Sequence, residues 1–470
     1  MSIDLVIVVS YLVMTLVVGV LAGRKVKSMK DFSISSKIFP TSVLVSTIFA
    51  TWMGGDDLIG VSERIYSVGL AFFLIQCGQT FSLFFHAYIV APRILQSFSD
   101  KISIGEIMGD LYGKPGQVMS GIANVLFSVA YVAVQVKAIG YICNLFFGIP
   151  TFYGTVIGSF VVIAYSSFGG IRSVVFTDVL QFGILIIGIP LMANVALKKV
   201  DGWEHLLINL PAQHVDLTSY NGSFVLFLTY VIVCAFPYFN PILIQRILMA
   251  KDERQASQSL VISGILYIPF YAVITVIALS AFLMFPGIDP NMAFLNVLNY
   301  SLPTIVKGIA ISGVLAVVMS TADSFLNVSA IATTRDVISV LFPSKINDKT
   351  ELMLTRVATV LFGLVSIYIA TMFYSMIDFW MYFSNFWTPT VVAPMFLYIL
   401  NFKTDIKTYL ISVALGFGAI VVFRYSVPED FVVISQIVGA LVTFFVMFIL
   451  GKHFGKLSRP CDSNLVVSRI

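Results

Sequence analysis

The stretch Ser46-Thr-Ile-Phe-Ala-Thr-Trp-Met-Gly-Gly-Asp-Asp-Leu-Ile-Gly60 reads as a membrane-crossing helix that is not continuous. Two glycines and two carboxylates stand where an unbroken span carries Leu or Ile, so a break is expected near Met53 to Gly55. Five spans further on, Cys234-Ala-Phe-Pro-Tyr-Phe-Asn-Pro241 places Pro237 and Pro241 in a second apolar run. Each proline removes a helix hydrogen bond, and a second break is expected there. At ~1.5 Å per residue, Met53 and Pro237 each lie roughly 20 Å into their runs, near the middle of a hydrocarbon core about 30 Å thick. Broken helices at corresponding places in two halves point to an inverted repeat with a binding site at the midplane. The halves here are 40–198 and 223–400.

The remaining sequence supports that reading. Of its 470 residues 58% are hydrophobic and only 11% charged, with a mean hydropathy of +0.96, which excludes an ordinary soluble domain. Apolar runs of the ~20 residues a spanning helix needs follow one another at 3–23, 40–62, 69–94, 116–147, 151–167, 174–198, 223–249, 257–284, 304–333, 351–376, 379–400, 408–423 and 431–451. The expectation is therefore an all-α polytopic membrane protein with about thirteen transmembrane helices. The first run follows only Met1 and Ser2, without the basic region or cleavage site of a secretory signal, and reads as a retained helix.

Charge sets direction, since Lys and Arg are retained on the cytoplasmic face. With the first loop inside, twenty-one of the 28 Lys and Arg residues fall inside and five outside, while Lys137 and Arg356 lie within spans. That places the N-terminus outside and the tail, 452–470, in the cytoplasm, as in a plasma-membrane protein. The net charge of +4 then reflects topology and implies no nucleic acid. Cys77, Cys143, Cys234 and Cys461 are scattered, the four histidines lack metal-ligand spacing, and no phosphate loop or nucleophile elbow is present. Enzyme chemistry and a resident cofactor are not expected.

The ninth span adds Val317-Val-Met-Ser-Thr-Ala-Asp-Ser324, which brings Ser320 to the same depth as the two breaks. Sodium is a hard cation that takes several oxygen ligands, and the hydroxyls of Ser320 and Thr321 with carbonyls freed at the first break would suit it. The alternative is that both are small interface residues bonding back to their own helix.

At these residues the chain resembles the sodium:solute symporter family, whose members include sodium/proline and sodium/galactose symporters and choline transporters. The resemblance rests on Ala50-Thr-Trp-Met53, Phe168-Gly-Gly-Ile-Arg-Ser-Val-Val-Phe-Thr-Asp178, the stretch from Tyr238 through Gln245-Arg246, and Met319-Ser-Thr-Ala-Asp-Ser324. It implies a leucine-transporter-like fold with two inverted five-helix repeats, one extra helix before them and two, within 408–451, after. It also implies a sodium site of the Ala50, Met53 and Val317 carbonyls with the Ser320 and Thr321 hydroxyls; Val317 replaces the family's usual alanine, but only its carbonyl is needed. Asp178 matches the acidic residue of the family's Thr-Asp motif and would either assist sodium release or pair with Arg172 or Arg246.

Solute candidates flank the breaks: Trp52, Asp56, Asp57, Phe236, Tyr238 and Asn240. Gln76 is similar in position to a sugar-contacting residue of galactose symporters. Asp56, Asp57 and Asp323 are costly carboxylates inside a membrane and so candidates for function. An aromatic ring beside carboxylates suits an ammonium, whereas Lys137 would either neutralise one carboxylate or bind that of an amino acid. The expected activity is sodium-coupled import of a small organic solute, an amino acid such as proline or an amine such as choline. Against it stand three rivals: a proton-coupled carrier, a channel, and a transporter-like sensor, for which the roughly twenty residues after the last span leave no signalling module.

Overall fold

The computed structural model describes residues 3–344, 346–372, 383 and 385–453. It is all-helical, and among the described residues nine helices are long and apolar enough to cross a membrane. Five of these are α1 (Ile3–Gly23), α4 (Ala71–Phe98), α5 (Ile104–Phe147), α6 (Thr151–Lys199) and α9 (Glu253–Met284). The other four are α10 (Thr304–Leu341), α11 (Asp348–Met372), α13 (Ile406–Ser426) and α14 (Ser435–His453). Shorter pieces account for most other expected spans: α2 (Thr41–Trp52), α3 (Val61–Val68), α7 (Phe224–Ala235), α8 (Pro241–Met249) and α12 (Thr388–Ile399). The count differs from thirteen because one continuous helix is not always one crossing: α6 alone contains the fifth and sixth expected spans, interrupted at Gly170. Residues 373–376 of the tenth expected span, 379–382 and 384 of the eleventh, and the tail from 454 lie outside the described residues.

Interruptions occur where the backbone demands them. Gly170 has φ +50° and ψ −139°, and a Cβ there would lie 2.6 Å from the Phe32 carbonyl oxygen. Only glycine fits such a place. Beside it, a Cβ on Gly169 would lie 2.5 Å from the Gly23 Cα, so α1 and α6 touch backbone to backbone. Helix starts carry polar caps: Ser103 accepts from the Glu106 N–H at 3.0 Å before α5, and Asp252 from the Gln255 N–H at 2.8 Å before α9.

The helix α10 is the centre of the molecule. Its most apolar stretch is 78% buried against 22% for α1, and it packs on α1, α5 and α6. Both broken helices lie against it. In the first, α2 ends at Trp52, Met53 is extended (φ −74°, ψ 107°), and the chain re-enters a helix through one wide turn, Asp56–Gly60. In the second, α7 ends at Ala235, Phe236 is extended and Phe239 takes φ +49°. Pro241 does not interrupt a helix, as its spacing suggested, but begins α8, where its missing N–H is no loss. The break proper is therefore 236–240. The loop at 200–222 contains two short helices, Gly202–Asn209 and Ala212–Val215. It is tied to the end of the first broken helix by Arg64 donating to the Tyr220 hydroxyl at 2.9 Å and by the Leu70 N–H donating to the His214 carbonyl at 2.8 Å.

Candidate solute and cation site

When α2 stops at Trp52, the carbonyls of its last turn lose their helical partners. Two hydroxyls of α10 meet them. Ser320 donates to the Ala50 carbonyl at 2.7 Å and to that of Val317 at 3.0 Å. Thr321 lies 3.0 Å from the Met53 carbonyl, 3.1 Å from that of Val317 and 3.2 Å from that of Thr51. Back-bonding to Val317 and bonding across to the break thus occur together. All these groups are buried, so a cluster of oxygen atoms without formal charge sits between α2 and α10.

On the other side of the first break lies a cavity of about 280 Å³. Trp52, Asp56 and Asp57 line it from the first break, and Phe236, Tyr238 and Asn240 from the second. Its two carboxylates differ. Asp57 is buried and accepts from the Gly54 N–H at 3.2 Å, the Tyr271 hydroxyl at 3.0 Å and the Gln79 amide at 3.4 Å. Asp56 is exposed to the cavity and accepts from the Tyr131 hydroxyl at 2.7 Å and the Gln135 amide at 3.5 Å. The Trp52 indole is held by its N–H donating to Gln79 Oε1 at 2.6 Å.

A third cluster lies directly behind Thr51. Arg246 of α8 and Asp178 of α6 are both buried, with Nη2 3.5 Å from Oδ2. The guanidinium also donates to Ser324 at 2.5 Å, to Thr51 at 3.0 Å and to Gln245 at 2.9 Å. Thr47 and Thr51 donate to the same Asp178 oxygen. Of the two partners considered for Asp178, the ion pair is made with Arg246. Asp323, also buried, accepts from the Tyr165 and Ser324 hydroxyls.

Three of the expected solute residues do not line the cavity. Asp323 faces this buried cluster, and Gln76 stands behind Gln79, accepting from the Cys234 thiol at 3.4 Å. Lys137 has its ammonium 5.8 Å from the centre of the Tyr141 ring, and the groups holding the Asp56 and Asp57 oxygens are Tyr131, Gln135, Tyr271, Gln79 and Gly54. Sequence reasoning missed Gln79, Tyr131, Phe127, Phe325 and Trp387, which line the cavity. Gln79 had a signal, since it follows Gln76 by three residues on the same helix face. The rings had none in a chain with 14% aromatics.

The comparisons with known proteins agree with this architecture. The model of the sodium:solute symporter family matches residues 35–416. The chain is 23% identical over 382 residues to the osmoregulated proline transporter of Bacillus subtilis, covering 78% of this chain and 77% of that protein. To the high-affinity choline transporter 1 of Drosophila melanogaster it is 25% identical over 429 residues, covering 86% and 67% respectively. In structure it is similar to a Na+-coupled sialic acid symporter in a substrate-bound outward-open state, with a TM-score of 0.84 and 17% sequence identity over 97% of this chain and 99% of that one. With the family model spanning most of the chain and the helices arranged as in that symporter, this integral membrane protein belongs to the sodium:solute symporter family and has its leucine-transporter-like fold.

Proposed function

We propose that the protein is a sodium-coupled symporter that imports a small organic solute, an amino acid such as proline or an amine such as choline, by alternating access. The observation that carries this reading is the convergence of the Ser320 and Thr321 hydroxyls on the carbonyls of Ala50, Met53 and Val317, within 2.7–3.1 Å. In the sodium-bound state these five oxygens become ligands to the ion. The cavity beside them holds the solute, so both cargoes meet at one helix break. Sodium stabilises the state in which that break is ordered and the solute side of the cavity is formed. Rocking of the repeats 40–198 and 223–400 then exposes both cargoes to the other face. The lysine and arginine distribution supports a plasma-membrane protein with the N-terminus outside and the C-terminus in the cytoplasm. In this scheme Asp178, bonded to Arg246 and Thr51 within one layer of the ion, is placed to assist sodium release.

The test is uptake of labelled choline and labelled proline into proteoliposomes, with and without an inward sodium gradient. Sodium-driven uptake of either is expected. Ser320→Ala and Thr321→Ala each raise the sodium concentration for half-maximal transport, and an unchanged sodium dependence in both variants would sink the site.

A further inference from the structure

We infer that the solute is a small organic cation with no carboxylate, and that Asp56 is its counter-charge. This rests on the reading of the cavity as the solute site and goes on to its chemistry. Among the described residues that line the cavity there are two aspartates and no Lys, Arg or His. A carboxylate at the middle of a membrane is costly unless a positive charge meets it. Asp57 is buried and already holds three donors, whereas Asp56 is exposed to the space. The positive charge therefore arrives with the solute.

The walls suit the same class. Trp52, Tyr131, Phe325 and Trp387 present rings to the cavity, with Tyr131 stacked on Phe325 at 4.4 Å between centres. Faces of such rings attract an alkylammonium group that has shed its water. A volume of about 280 Å³ lies just below the usual range of ligand pockets, roughly 300 to 1,000 Å³, and so suits a small solute.

A zwitterion also needs donors for its carboxylate, and five N–H groups at or beside the breaks are already engaged. The Gly54 N–H donates to Asp57, the Gly55 N–H to Gln135 at 3.2 Å, and the Ile242 N–H to the Asn240 side chain at 3.1 Å. The indole N–H groups of Trp52 and Trp387 donate to Gln79 and to the Tyr238 carbonyl. A carboxylate taken on any of these five would break an existing bond, no Lys, Arg or His among the described lining residues stands to meet its charge, and a neutral sugar would leave Asp56 without a counter-charge.

The experiment is ligand-induced thermal stabilisation of the purified full-length protein in sodium buffer, with tetramethylammonium, choline, proline and galactose as probes. Tetramethylammonium and choline are expected to stabilise the wild type, and proline and galactose are not. Asp56→Asn, which keeps the shape and removes the charge, is expected to weaken tetramethylammonium binding roughly 30-fold or more. The wild-type ranking is a second readout that needs no variant. Stabilisation by proline or galactose without the cations, no binding of either cation, or undiminished cation binding by Asp56→Asn overturns the inference. Cation binding without sodium-driven uptake sinks the symport reading alone, and sodium-driven proline uptake without cation binding sinks this one alone.

Discussion

Removing Arg246 isolates the energetics of the ion pair at the heart of the molecule. Its Nη2 lies 3.5 Å from Asp178 Oδ2, and both side chains are at most 1% exposed. At an effective dielectric constant of ~20, that separation corresponds to an attraction of about 5 kcal/mol. Desolvation of the two groups offsets much of this, so the pair itself contributes little relative to an apolar replacement. Breaking it is another matter, because the surviving charge stays buried, at a loss of about 3–5 kcal/mol. Arg246→Met also strips Ser324, Thr51 and Gln245 of a donor. The expected order of melting temperatures, followed by tryptophan fluorescence in detergent, is wild type first, then Asp178→Asn/Arg246→Met, then the two single variants. The double variant leaves neither member of the pair charged and alone, and loses less than the sum of its parts. A single variant as stable as wild type, or a double variant that falls by the full sum, refutes the argument.

Two further outcomes follow from the same contacts. Gly170→Ala puts a side chain into a glycine-only conformation and against Phe32, which is expected to destabilise the protein by about 1–3 kcal/mol from backbone strain alone. Gly183→Ala, in the same helix with open space around it, is the control and should be neutral or slightly stabilising. Trp52→Ala removes a wall of the cavity and is expected to weaken solute binding by up to about 30-fold. Sodium affinity measured without solute is expected to change far less, and an unaltered solute affinity would remove Trp52 from the pocket.

The two breaks were legible because glycine and proline act on their own backbone, whatever surrounds them. The same holds at Gly170, where a positive φ is a local demand. The shared level of Ser320 and the first break was legible too, since rise per residue is fixed. The direction in which a side chain points around a buried helix was not. Thr321 lines the cavity while Asp323, two residues on and so roughly 200° around the helix, faces Tyr165 instead. Lys137 repeats this: Tyr131 and Gln135 share one face, bonded to Asp56, and Lys137 turns to Tyr141 on another. With α10 buried on every side and its polar residues spread around it, no amphipathic stripe was available to set the rotation. Gln79, Tyr131 and Tyr271 find Asp57 and Asp56 only through tertiary contact.

In the proposed scheme, residues 50 to 53 join the two cargo sites. The carbonyls of Ala50 and Met53 face Ser320 and Thr321, while the Trp52 ring faces the cavity. Thr51 does both, since its carbonyl accepts from Thr321 and its hydroxyl bonds to Asp178 and Arg246 while it lines the cavity. An ion that fixes the carbonyls of a broken helix end also fixes the ring and the carboxylate that follow it within six residues. On that scheme ordering this stretch is required for either cargo, and whichever binds first relieves the other of that requirement. Binding must therefore be coupled, with a factor of roughly 5 to 150 typical for such linkage. Thermodynamic reciprocity makes the statement sharp. The factor by which saturating sodium lowers the solute Kd must equal the factor by which saturating solute lowers the sodium Kd. Equilibrium binding in sodium and in potassium measures the first, and sodium titration with and without solute measures the second. Equal solute affinity in the two salts would mean that the break is already ordered without the ion, and that these four residues do not join the sites.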